Sequence, residues 1–169
     1  MNLRRLGLFA ILILTAATLA GCAGGLPAIS DSVKLEHVAI DQQAALAMLN
    51  DYRRKHGAHP LVTSPDLRLV AQDMADHIAT RDKLKSPQHS PKGLYSRLLA
   101  RGVDHDAAGE NLGYGYANMA AAFAGWRGSR EHNRNLLNPN VTHMGLARTN
   151  RSEGTYQNFW ALIMARPKS

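Results

Sequence analysis

"MGLARTNRSEGTYQNFWALIMA", residues 144–165, decides the fold class. Its apolar residues no longer recur at helical spacing. "MGLART" and "TYQNFWALIMA" read as two extended runs, and the polar, glycine-containing "NRSEG" between them reads as a turn. A C-terminal β-hairpin is therefore predicted.

Everything upstream is organised differently. A helix is predicted from Ile40 to His56, with Leu46, Leu49 and Tyr52-Arg53 on neighbouring turns and Gly57 as its stop. Arg53-Arg54-Lys55 could be a basic patch, but cations at a helix end complement its dipole, and that plainer reading is preferred. Ser64 is a good N-cap and Pro65 suits the first helical position, so a second helix starts there. It carries the clearest stripe in the chain: Leu67, Val70, Ala71, Met74, Ala75 and Ile78. His77 lies off that stripe and is expected to be solvated.

"KSPQHSPKG" breaks the pattern and places His89 in a loop. Leu94 and Leu98 mark a short helix that ends before Gly102. Met119, Ala122, Phe123 and Trp126 repeat at helical spacing, which is a core stripe far more often than a cofactor box. Ser129 can cap a further short helix bearing His132, Leu136 and Leu137, ended by Asn138-Pro139. With a short strand near residues 111–115, the sum is an α+β domain, a small antiparallel sheet covered by helices.

The N-terminus carries different information. "MNLRRLGLFAILILTAATLAGC" has a basic start, an apolar run and small residues before Cys22, the layout of a secretory signal. Leu19-Ala20-Gly21-Cys22 resembles a bacterial lipobox, which implies cleavage of residues 1–21 and lipid on Cys22. The alternative is an ordinary signal with an incidental cysteine. Residues 22–39 then read as lipidated N-terminus and tether, and residues 40–169 as the domain. Cys22 is the only cysteine, so a secreted domain here has no disulfide and relies on its core. Removal of Arg4 and Arg5 lowers the net charge of +7 by two. The remaining excess suits an envelope protein near anionic lipid or polymer and does not argue for nucleic acid.

One stretch invites chemistry. "AAGENLGYGYANM", residues 107–119, sets Glu110 among glycines and aromatics. It lacks the Lys-Ser/Thr of a phosphate loop, and its glycine order does not match a dinucleotide fingerprint. Loop-borne His89 and His132 on the short capped helix could converge with Glu110 as a two-histidine, one-carboxylate metal site with an open position. With eight histidines in the chain, such a trio also assembles easily by chance.

"LNDYRRKHGAHPL", "SPDLRLVAQDMADHIA", "QHS", "GENLGYG", "GWRGSREHNRNLLNP" and "THMGLA" follow one another in an order and spacing that resembles the CAP superfamily. These are the cysteine-rich secretory, antigen 5 and pathogenesis-related 1 proteins, or SCP domain. The similarity spans roughly residues 42–166 and is nearest the compact bacterial branch without disulfides. It implies an α-β-α sandwich with a small central antiparallel sheet flanked by helices, and a cleft lined by His89, Glu110 and His132. It also implies marked positions at Trp126 and Ser129, with Asn111 tying backbone to loop. The second cleft glutamate of many members has no counterpart, since residues 90–109 contain no Glu and Asp104 and Asp106 sit in what reads as a loop. His143 is either a further polar wall or a surface residue at a strand start, and the latter is preferred.

The resemblance delivers no reaction, because the superfamily shares no catalytic cycle. The first expectation is a lipid-anchored envelope module, facing the periplasm from the outer membrane in a Gram-negative source. It would bind lipid, another small hydrophobic ligand or an envelope component, with Zn²⁺ at His89, His132 and Glu110 as the tentative metal. The second is a metal-dependent peptide or ester hydrolase, using Glu110 and a metal-bound water. The third is a structural or interaction protein. The domain is expected to be monomeric and to bind no nucleic acid.

Overall fold

A computed structural model describes residues 33–168. The signal, the lipobox with Cys22 and the first part of the tether lie outside the described residues.

The elements are β1 (Leu35–His37), α1 (Gln42–Lys55), β2 (Val62–Thr63), α2 (Pro65–Arg81), α3 (Pro91–Ala100), β3 (His105–Tyr114), α4 (Met119–Gly128), α5 (Arg130–Leu136), β4 (His143–Arg151) and β5 (Asn158–Pro167). The sheet order is β1-β4-β5-β3, antiparallel throughout, and the two-residue β2 adds to β4 in parallel. The fold is α+β, as the hairpin predicted. One boundary moves: Leu35–His37, read as tether, is a strand. It is exposed along its length and joins β4 by backbone bonding alone, so no apolar period announces it.

β5 is central, and this explains why its sequence alternates so poorly. Phe159, Ala161, Ile163 and Ala165 face one way and join a core with α2 and α3. Trp160, Leu162 and Met164 face the other and join a core with α1, α4 and α5. A strand buried on both faces reads as a continuous apolar run. The result is three layers, α-β-α.

α2 is seated deepest. Ser64 Oγ accepts the Leu67 N–H at 3.2 Å, and every residue of its predicted stripe is fully buried. It lies directly on β4 at Gly145, where a Cβ would come within 2.1 Å of the Arg68 backbone nitrogen. The hairpin turn is fastened to the far end of α2. Asp82 accepts the Thr155 and Tyr156 N–H groups, while Arg151 Nη1 donates to the carbonyls of Ala79 and Thr80. That fastening removes residues 155–157 from the predicted second strand, which begins only at Asn158.

Arg53 lies in the last turn of α1, as the helix-end reading placed it, but it is not solvated there. It is 0% exposed and donates to three carbonyls, His59 at 2.7 Å, Leu136 at 2.6 Å and Asn138 at 3.1 Å. It therefore locks the end of α1 to the end of α5 instead of forming a patch. Arg54 and Lys55 pair with Asp51 on the helix surface.

Candidate functional site

β3 is twice the predicted length because its polar residues hide its period. It is an edge strand, and its two faces meet different helices. Glu110 and Leu112 sit opposite Ile163 and Ala161, on the α2–α3 side. Asn111 faces α5, where its Nδ2 donates to the His132 carbonyl at 3.0 Å and its Oδ1 accepts from Asn135. Asn111 ties strand to helix, as the resemblance implied.

The Glu110 side chain is only 4% exposed, and both its oxygens are engaged. Oε2 lies 2.6 Å from His89 Nδ1, and Oε1 accepts from Arg97 Nη2 at 2.6 Å. The sequence reading missed Arg97. Its signal was its place on α3: it follows buried Leu94 by three residues and precedes buried Leu98, so a charge stands beside an apolar stripe. Arg97 Nη2 also donates to the Gln88 carbonyl, and its Nε and Nη1 are buried without a partner among the described residues.

The loop carrying His89 is held from two sides. Ser90 caps α3 by accepting the Gly93 N–H and donates to the Pro87 carbonyl. Gly93 permits this close approach, since a Cβ there would meet the Gln88 carbonyl oxygen at 2.4 Å. From α2, His77 Nε2 lies 2.7 Å from Ser86 Oγ, which also accepts the Gln88 N–H. His77 is thus half-buried and supports the loop, a correction to the expected solvated position. The turn fixed by one helix delivers His89 to a carboxylate fixed by a strand.

A cavity of about 390 Å³ opens between this loop, the β3 edge and α5. Its walls include His89, Ser90, Ala108, Glu110, Arg134 and Asn135. α5 contributes Arg134 and Asn135 to this wall, while His132 on the same helix is half-buried and close enough to His89 to feel its charge. Trp126 is structural, its Nε1 donating to the Leu112 carbonyl at 2.8 Å. Ser129 occupies the N-cap position of α5 without a side-chain cap bond. His143 starts β4, with its ring beside Thr142 Oγ1, and does not line the cavity. Asp104 pairs with Lys168 and Asp106, inside β3 and not a loop, with Arg166.

The metal expectation meets this donor set poorly. Among the described residues no three His, Cys, Asp or Glu side chains stand where they could hold one ion. At Glu110 a divalent cation would face the Arg97 guanidinium and compete with it and with His89 for the same two oxygens. The residues present do not fit a Zn²⁺ bound through Glu110.

Two imidazoles have shifted protonation. Burial first, and then the nearby His89, push His132 below its ordinary value of 6.5. Burial first, then Arg81 and Arg97, push His77 below the same value, with Glu110 opposing. The unfolded chain takes up these protons near pH 6.5 while the folded chain refuses them. Stability is then whole above about pH 6.5 and falls as the pH drops below it, until the folded values are reached. Urea midpoints are expected to decrease from about pH 7.5 to about pH 5.5, and less so in His77→Gln/His132→Gln. A wild-type midpoint that holds or rises over that window contradicts this reading.

An α-β-α sandwich with a His–Glu–Arg cluster at the edge of its sheet defines the class of the protein. The sequence profile of the cysteine-rich secretory protein (CAP) family matches residues 46–164, and the chain belongs to that family. It is 29% identical over 119 residues to "uncharacterized membrane protein YlbC" of Bacillus subtilis, covering 70% of this chain and 34% of that one. It is 29% identical over 115 residues to "uncharacterized protein YkwD" of the same organism, 64% of this chain and 42% of that one. The chain thus spans well under half the length of these relatives. A Bacillus anthracis extracellular protein containing an SCP domain superposes with a TM-score of 0.62 at 25% identity, over 73% of this chain and 39% of that one. An outer surface protein of Borrelia burgdorferi shares the fold, with a TM-score of 0.67 at 15% identity over 79% and 98% of the two chains.

Proposed function

We propose that this chain is a lipid-anchored envelope protein whose CAP domain binds a ligand in the cleft between the His89 loop, β3 and α5, without a catalytic cycle of its own. The observation that carries the reading is the state of Glu110. A general base must reach the proton it removes, and this carboxylate is 4% exposed, with its two oxygens held at 2.6 Å by a guanidinium and an imidazole. What faces the cavity is His89, 35% exposed, together with Arg134 and Asn135, groups suited to binding. Lipid anchoring is supported by Leu19-Ala20-Gly21-Cys22 and by a relative named as a membrane protein. Ala23 lacks the acidic residue of inner-membrane retention, which favours the outer membrane in a Gram-negative source.

Two assays test this. The full-length chain purified from its own membrane is expected to carry a bound ligand by native mass spectrometry, and His89→Ala to lose it. Equal ligand content in both would sink the cleft. In parallel, Glu110→Gln is expected to leave casein and p-nitrophenyl ester hydrolysis at the wild-type background. Turnover that depends on Glu110 would instead favour the metal-dependent hydrolase.

A further inference from the structure

β3 is the outer strand of the sheet, and an outer strand presents backbone groups along its free edge. Their direction is set by the ladder. Gly115 N–H donates inward to the Asn158 carbonyl, so odd-numbered residues of this run pair with β5 and even-numbered ones face out. The outward carbonyls of Leu112 and Glu110 agree, because they accept from Trp126 Nε1 and Asn135 Nδ2. Next along the edge come the Glu110 N–H and then both the N–H and C=O of Ala108. Among the described residues these three groups have no partner, and Ala108 and Glu110 are both cavity wall.

The opposite edge of the sheet shows what a closed edge looks like here. From Thr142 to Arg148 every outward carbonyl along β4 is taken. The Val62 and Ser64 N–H groups cover the Thr142 and Met144 carbonyls, and the Val38 N–H covers that of Arg148. Between them the Gln42 side-chain amide stands in for a peptide unit, donating to the Leu146 carbonyl at 2.8 Å and accepting its N–H at 3.3 Å. One edge is sealed with an amide. The other is left open in the cleft.

We propose that the cleft takes an extended peptide segment of a partner protein, which pairs with Ala108 and Glu110 as a further antiparallel or parallel strand beside β3. This inference rests on the cleft reading above and names its ligand class. A residue with both N–H and C=O facing out exchanges two bonds with a partner strand, which no lipid tail can return. The cavity, about 390 Å³, lies within the range of formed binding clefts. Charge selects the segment: Arg134 stands in the wall of the opening beside the His89 ring, and the buried Glu110 carboxylate there is already paired with Arg97. Among the described residues Arg134 is held by Glu131 on the same helix, with the pair 75% and 63% exposed. A surface pair of that kind is weak and yields to a better-placed acid. The segment is therefore acidic at the residue beside Arg134.

The test uses the ¹⁵N-labelled chain and a pool of acetylated, amidated pentapeptides with glutamate at the centre and the other positions degenerate. The amide signals of Ala108 and Glu110 are expected to shift and to gain protection from hydrogen exchange. N-methylation of the best binder at the pairing residue is expected to weaken it tenfold or more, while N-methylation of the next residue, whose N–H faces away, has little effect. Ala108→Pro removes one outward N–H, a change tolerated on an edge strand, and is expected to weaken binding by a similar factor. No binding from the pool, shifts that spare Ala108 and Glu110, or indifference to the position of N-methylation overturns the proposal. Because N-methylation is read on the wild-type chain, poor folding of the proline variant cannot decide the matter. Ligand retention by the wild type and its loss in His89→Ala are read independently, so a cleft that binds something other than a peptide is recognised as such.

Discussion

Gly145→Ala is expected to destabilise the domain by about 3 kcal/mol or more, the largest effect of any single methyl group here. The added Cβ would lie 2.1 Å from the Arg68 nitrogen and 2.2 Å from the Leu67 carbonyl carbon, both backbone atoms in the first turn of α2. No side-chain rotation relieves such a contact, so the helix must lift from β4. α2 carries the fully buried residues from Leu67 to Ala79, and lifting it opens the core it shares with β5. A drop in Tm of roughly 6–12 °C follows for a domain of this size. Melting within a degree or two of wild type would show that α2 shifts sideways without cost.

Arg97→Ala is expected to cost about 3 kcal/mol by a different route. It leaves the Glu110 carboxylate, 4% exposed, with the His89 ring as its remaining side-chain partner. Removing one member of a buried pair strands the other, and that penalty exceeds what the pair contributed net. The discriminating measurement is the double variant. Arg97→Ala/Glu110→Gln should recover part of the loss, since the stranded charge goes with the second change. Strict additivity in denaturant unfolding would mean that the two side chains do not act as a unit. The same experiment bears on the cleft, because the loop with His89 is tethered to Arg97 through the Gln88 carbonyl.

The site was legible in proportion to how local its signals were. Glu110 stands out because a lone carboxylate among glycines is conspicuous, and His89 because prolines on both sides force a loop. Their 2.6 Å contact joins residues 21 positions apart through the packing of α3 against β3, which no local pattern encodes. His132 followed the family motif onto α5, yet the helix turns Arg134 and Asn135 into the cavity. Arg53 was placed correctly at its helix end, but its burial was not foreseen, because a cation there normally meets water. Here three carbonyls from the α5 end and the loop after α1 converge on it.

By itself the sequence determined the five helices, the C-terminal hairpin, the cap at Ser64, the buried stripe of α2 and the α+β class. These depend on residues within a turn or two of one another, where propensity and periodicity act directly. Tertiary structure decided the rest: that Leu35–His37 extends the sheet, that β3 runs ten residues, and that Glu110 is neutralised by Arg97. It also decided that β4's outward carbonyls are covered while β3's edge stays open at the cleft. Backbone edges and buried ion pairs are properties of elements brought together across the chain, and an amino-acid pattern records the elements without recording which of their faces will meet.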